Sequence, residues 1–254
     1  MFMPHNLIII QARLSSTRLP GKVLQPIYEK QSILDIQLNH LAKLKMPLVL
    51  ATTTNDSDQP LVEWALKNRV DYFCGHELNV LQRFIDCAEK YNAEKLIRIC
   101  SDNPFIQLNS IEQFIDELEG GADYVSYADA EGTPAIRKHW GLFTEGVKLS
   151  ALQKCQTILE GKIDAAFYQE HVTNFIYGHP SNFSVSLLPA PEVVIERDDL
   201  RFTIDTQNDF DNMQQLLRLL QFDEQTNLND LINVVNQKPE ILAKMQLGIE
   251  QFDK

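Results

Sequence analysis

The sequence predicts an α/β fold with a mainly parallel sheet. Two observations carry that prediction. Short apolar, β-branched runs alternate with longer amphipathic segments through the first half of the chain, the rhythm of right-handed βαβ units. The first of these runs gives way directly to a loop rich in charge and hydroxyls, and the carboxyl ends of strands are where open α/β sheets bind ligands.

The elements follow in order. Residues 7–10 (LIII) read as a buried strand. Ser32 then caps a helix with Ile33, Leu34, Leu38, Leu41 and Leu44 on its apolar side. Residues 47–51 form a second strand. A polar loop over 52–58 leads to a helix with Pro60 near its start and Val62, Trp64, Ala65 and Leu66 inside. Residues 70–73 are a third strand, 78–91 a helix, 96–100 a fourth strand, 110–118 a helix stopped by Gly120-Gly121, and 123–127 a fifth strand. The rhythm breaks over 128–191, which reads as an inserted lobe within a single domain spanning 1–254. There, 140–147 and 183–188 read as strands and 150–159 and 165–177 as helices. Residues 201–204 (RFTI) restore a core strand with Asp205 at its end. Thr206 caps the next helix, and Pro239 opens the last helical segment.

Composition excludes some function classes. With 254 residues and 44% hydrophobic content the chain can bury a sizeable core. A formal charge of −12 argues against a nucleic-acid or anionic-membrane surface. It still allows a small anionic ligand where cations are gathered locally. Residues 1–6 are too short and uncharged for a signal peptide, and no run approaches the ~18 apolar residues of a membrane span. Cys74, Cys87, Cys100 and Cys155 are scattered, without C-x-x-C or histidines at zinc spacing, which reads as reduced thiols in a cytoplasmic protein.

The local gathering of cations lies just after the first strand. Arg13, Arg18 and Lys22 surround Ser15, Ser16 and Thr17, with Pro20-Gly21 closing the segment. Such a loop suits a polyphosphate, whose oxygens need N–H groups, hydroxyls and cations converging on them. The spacing is neither a Walker A loop nor a dinucleotide fingerprint. Asp102 and Asp205 follow two later predicted strands, so a parallel sheet brings them to the same edge. Two carboxylates opposite a cationic loop fit Mg²⁺ with a nucleoside triphosphate. Residue pattern alone leaves plainer readings open: a solvated basic loop, an Asx turn at Asp102, helix-start carboxylates at Asp205 and Asp209, and a polar helix-face residue at His171.

The motifs resemble a known family. Residues 11–24 (QARLSSTRLPGKVL) are similar to the A-R-x-x-S-T-R-L-P-G-K opening of the CMP-sugar cytidylyltransferases, the 3-deoxy-manno-octulosonate and acylneuraminate enzymes among them. The resemblance is greatest to the branch named after spore-coat polysaccharide biosynthesis protein F. Residues 51–65 are similar to that branch's second strand and helix. Residues 74–84 resemble its G-x-x-x-D-V-L-x-R-[FY], 98–106 its R-x-T-G-D-x-P-L-I, 170–177 its E-H-V-T-x-x-I-Y, and 201–210 its R-x-T-V-D-T-x-x-D-[FL].

The resemblance implies a Rossmann-like sheet of the nucleotide-diphospho-sugar transferase type, with helices on both faces. It implies transfer of CMP from CTP to a sugar or sugar-like acceptor, with pyrophosphate leaving. Arg13 and Lys22 match triphosphate-holding positions, and Ala12, Ser15, Ser16, Thr17 and Arg18 match the rest of that loop. Asp102 and Asp205 match the Mg²⁺ carboxylates. Thr52 and Ser101 match the base and ribose pocket, and Glu145, His171 and Arg201 the acceptor side. Residues 133–177 correspond to the lobe through which relatives dimerise. Three departures accompany the match: Ser101 stands where the family has Gly, Asn79 where it usually has Asp, and 141–145 keep only part of G-x-[DE]-x-E.

Two other functions compete. A glycosyltransferase using a finished nucleotide sugar shares such a sheet, but a D-x-D pair is expected there, and Asp102 is followed by Asn103-Pro104. A non-catalytic nucleotide-binding partner is supported only by Ser101 and the eroded acceptor motif.

Overall fold

One seven-stranded sheet organises the molecule. Its strands are β1 (His5–Gln11), β2 (Leu48–Thr53), β3 (Asp71–Gly75), β4 (Ala93–Cys100), β5 (Tyr124–Ala128), β6 (Glu145–Lys148) and β7 (Val185–Pro189). The computed structural model describes residues 5–223 and 226–252, so part of the leading 1–6 stretch and the last residues of the terminal helical segment lie outside it. Strand order is β3-β2-β1-β4-β6-β5-β7. The β3, β2, β1 and β4 neighbours pair in parallel, as do β5 and β7, while β6 runs antiparallel to both β4 and β5.

The helices are α1 (Ile33–Leu41), α2 (Gln59–Asn68), α3 (Val80–Lys90), α4 (Ile111–Glu119), α5 (Leu149–Leu159), α6 (Ala165–Glu170), α7 (Asn174–Gly178), α8 (Glu192–Ile195), α9 (Gln207–Leu219), α10 (Leu228–Asn236) and α11 (Pro239–Gln251). None among the described residues is long and apolar enough to cross a membrane. Capping fixes several starts. Ser32 and Asp35 form a capping box on α1, and Thr206 and Asp209 form one on α9. Asn79, one of the departures from the family pattern, keeps the capping role: its side chain accepts from Gln82 N at 2.9 Å.

Strand alternation sends side chains to two cores. Leu7, Ile9, Val49, Ala51 and Leu96 pack with α3, α5 and α7. Ile8, Ile10, Leu50, Ile97 and Ile99 pack with α1, α2 and α4 on the other face. Complete burial of each such side chain is worth about 1.5–3 kcal/mol, and Ile8, Ile9 and Ile10 are all fully buried. A third core joins α9, α10 and α11 to Phe105, Trp140, Phe202 and Ile204. None of the four cysteines forms a disulfide. Burial pushes Cys87 and Cys155 up to about 12, which leaves them unreactive.

The structure departs from the expected elements in three places. Residues 201–204 join no ladder. The sheet position beside β4 is taken by β6, so this stretch bonds to loops instead: Phe202 N donates to His139 O, and Ile204 N to Asp102 O. The stretch expected as an inserted lobe, 128–191, supplies β6 and β7 to the main sheet, and of the strand expected over 140–147 only the end is a ladder. The helix expected over 165–177 is split into α6 and α7, because Thr173 turns inward to donate to Glu145.

Strand order places the functional edge. β1 connects through α1 to β2 on one side, while β4 pairs on its other side. The crevice beyond the carboxyl ends of β1 and β4 is therefore a topological switch point, where open α/β sheets bind ligands.

Candidate active site

The loop after β1 is built to hold its shape. Ala12 N still donates to Ala51 O, Leu14 N donates to the Asp58 carboxylate at 2.7 Å, and Gly21 N returns to Leu14 O. Gly21 has φ of +70°, a conformation that disfavours any side chain. The short turn that follows carries Lys22 inward, leaving it 8% exposed.

There the cationic loop meets both aspartates. Lys22 Nζ lies 3.2 Å from Asp102 Oδ2 and 3.6 Å from Asp205 Oδ1, and it also donates to Ile204 O. Arg18 donates to Asp205 Oδ1 at 2.8 Å. A cleft of about 310 Å³ opens over this cluster and is lined by Arg13, Ser16, Thr17, Arg18, Lys22, Ser101, Asp102 and Asp205, with Gln11 and Arg98 on its floor. Burial alone would raise the Asp205 carboxyl, but Lys22, Arg18 and Arg201 hold it below the usual carboxylate range. It therefore remains an anion across the physiological range.

Asp205 is set from behind. Arg201, 1% exposed, donates to Asp205 Oδ2 at 2.9 Å and to both oxygens of Asp209, and it also pairs with His139. Asp209 accepts in addition from the N–H groups of Asp205 and Thr206. Expected at the acceptor side, Arg201 is instead packed beneath the carboxylate and lines neither cavity.

A second cavity of about 550 Å³ adjoins the first and shares Arg98 with it. Arg137, Phe167, His171, Thr173 and Tyr177 complete much of its wall. Burial lowers the His171 pKa, helped by Arg98 and Arg137, so its ring is neutral at pH 7. Glu145 does not face this cavity. It is 3% exposed and accepts from Arg98, from Tyr124 Oη at 2.6 Å and from Thr173 Oγ1 at 2.8 Å. Arg98 and Glu145 are direct neighbours in the β4–β6 register.

The other predicted positions divide. Ser101 lines the cleft, with its side chain largely buried. Ala12 is buried and outside the cleft lining, its N–H bonded to Ala51 O. Ser15 is exposed, outside the cleft lining. Thr52 is fully buried and its hydroxyl has no partner; alternation turns it toward the α1 and α2 face, away from the cleft. Arg13 reaches toward α6, 3.6 Å from Glu170.

Sequence reasoning missed Arg98, Gln11, Arg137 and the anchoring role of Asp209. Arg98 had a signal: a charged residue inside an otherwise apolar strand must find a buried partner. Arg137 had none.

Metal chemistry fits the donors present. The Lys22 ammonium already sits between Asp102 and Asp205, so a cation is accommodated there, and the donors are hard oxygens. Among the described residues no cluster of three or more His, Cys, Asp or Glu could hold an ion alone. The remaining ligands would come from phosphate oxygens and water.

An open, mainly parallel sheet with anion-binding and carboxylate groups gathered at its switch point defines a Rossmann-like nucleotidyltransferase. CMP:2-keto-3-deoxy-manno-octonic acid synthetase complexed with CTP shares this fold, with a TM-score of 0.59 and 14% identity over 85% of this chain and 99% of that one. The chain itself belongs to the cytidylyltransferase family, which matches residues 7–239. It is 32% identical over 249 residues to spore coat polysaccharide biosynthesis protein SpsF of Bacillus subtilis (strain 168), covering 94% of this chain and 98% of that protein. A cytidylyltransferase from Leptospira borgpetersenii serovar Hardjo-bovis superposes with a TM-score of 0.80 and 27% identity, over 94% and 97% of the two chains.

Proposed function

We propose that the protein transfers CMP from CTP to an oxygen of a sugar or sugar-like acceptor, with release of pyrophosphate, in the synthesis of a surface polysaccharide or glycan. The observation that carries this reading is the convergence of Lys22 and Arg18 on Asp102 and Asp205 at the switch point. In-line transfer at phosphorus asks the protein for position and charge, with little covalent work. Lys22, Arg18 and Arg13 would bind the triphosphate and neutralise charge as it moves onto the leaving pyrophosphate. Ser16, Thr17 and the loop N–H groups would orient its oxygens. Asp102 and Asp205 would hold Mg²⁺, which when bound draws charge from the phosphates. The acceptor would enter through the cavity beside His171, with Arg98 on the boundary between the two substrates.

Four cysteines without a disulfide support a cytoplasmic enzyme. The exposed apolar side chains of Ile163 and Phe167 support a homodimer through the segment that carries α6. Incubation with CTP, Mg²⁺ and a panel of sugar acids and sugar phosphates, with pyrophosphate as the readout, tests the function. Release that requires both acceptor and Mg²⁺ supports it. Consumption of a nucleotide sugar without pyrophosphate overturns it.

A further inference from the structure

The last helix takes part in the site. Ile241, Met245, Gly248 and Phe252 fall on one face of α11 and its cap, at spacings of three and four. The first two are buried in the third core, at 0% and 1% exposure. The main chain is tied down at the same end, where Asn212 of α9 donates to Ile241 O. The stripe then leaves the core and reaches the cluster behind Asp205.

Two contacts are made there. A Cβ at Gly248 would stand 2.8 Å from Arg201 Cδ, 2.9 Å from its Nε and 3.1 Å from Asp209 Oδ1. Arg201 cannot give way, because its guanidinium is bonded to Asp205, Asp209 and His139. One turn later the Phe252 ring lies under two cations, with Arg18 Cζ 4.5 Å and Arg201 Cζ 5.5 Å from its centroid. An aromatic face attracts a guanidinium and offsets the repulsion between two that share it. Phe252 thus links the phosphate loop to the residue that sets Asp205, across most of the sequence.

We propose that Gly248 and Phe252 are positioning residues for nucleotide binding: Gly248 seats Arg201 behind Asp205, and Phe252 holds Arg18 over the triphosphate position. This rests on the cytidylyltransferase reading above. Neither residue touches a reacting atom. Each acts through an arginine, so its loss weakens CTP binding while the core half of α11 stays packed.

The test is calorimetric titration of wild type, Phe252→Ala, Phe252→Trp and Gly248→Ala with CTP and Mg²⁺, alongside thermal melts. Phe252→Ala is expected to weaken CTP binding about fivefold with an unchanged melting temperature, and Phe252→Trp to restore it to within about twofold. Gly248→Ala is expected to weaken binding although alanine is the better helix former, so a loss there comes from the contact with Arg201. Should Gly248→Ala fail to fold, the Phe252 pair decides alone. Equal CTP affinity in wild type and Phe252→Ala overturns the proposal and leaves the enzyme reading standing. Absence of CTP binding by wild type overturns both.

Discussion

The two candidate metal carboxylates are held in opposite ways. Asp102 lies two residues beyond the end of β4. Its one ion-pair partner among the described residues is Lys22, and its side chain is 29% exposed. Asp205 belongs to no strand, and Arg18, Lys22 and Arg201 converge on it. Arg201 is fixed in turn by Asp209. A strand end positions a side chain through its ladder. A loop carboxylate needs a scaffold of its own, and that scaffold is where remote substitutions are felt.

The sharpest way to break this contrast is to neutralise each aspartate. Asp102→Asn and Asp205→Asn are both expected to lower pyrophosphate release from CTP by about 10³-fold, the scale of losing a charge-stabilising group. Their melts should differ: Asp102→Asn within about 0.5 kcal/mol of wild type, Asp205→Asn lower by about 1–3 kcal/mol because its cationic partners lose their acceptor. Equal melting losses would remove the distinction.

The scaffold comes next. Asp209→Ala leaves the Arg201 guanidinium buried without its bidentate partner and is expected to cost about 3–5 kcal/mol in denaturant titration. Glu145→Gln removes the countercharge of Arg98 while keeping an acceptor for Tyr124 and Thr173, and is expected to cost on the order of 3 kcal/mol. Its effect should fall on acceptor KM, with CTP affinity nearly unchanged.

Acid sharpens the same point. Asp205 and Asp209 both titrate below the usual range in the folded protein. Their contribution to stability is therefore complete above the unfolded value of about 3.9 and is lost as pH falls through the depressed folded values. Melting temperature followed from pH 6 downward should hold and then drop below about pH 4, and the drop should shrink in Asp205→Asn. The smallest effect is expected from Ser101→Gly, which opens the cleft wall: CTP affinity should change by less than about threefold, under about 1 kcal/mol.

Much of this was legible in the sequence for a physical reason. Residues 7–22 carry a buried strand and its loop as consecutive residues, so strand pattern and charge are read together. Asp102 was legible for the same reason, two residues beyond β4. The approach of Asp205 was legible in place but not in means, because 201–204 have strand composition while β6 fills the position beside β4. Thr52 was misplaced by one residue of alternation, which decides the face it occupies. Gly248 and Phe252 carried no signal at all: a glycine and a phenylalanine near a helix end have no chemistry until the fold sets arginines against them.

The Arg98–Glu145 neighbours on β4 and β6 have a consequence for exchange between relatives. One half of the pair lies on the nucleotide strand and the other at the edge of the segment that walls the second cavity. Transplanting a segment that lacks a carboxylate at position 145 would leave Arg98 without its countercharge and strand its charge. Substrate-swapping chimeras of this protein should therefore keep a glutamate at position 145, and those that lose it should come out insoluble before they come out inactive.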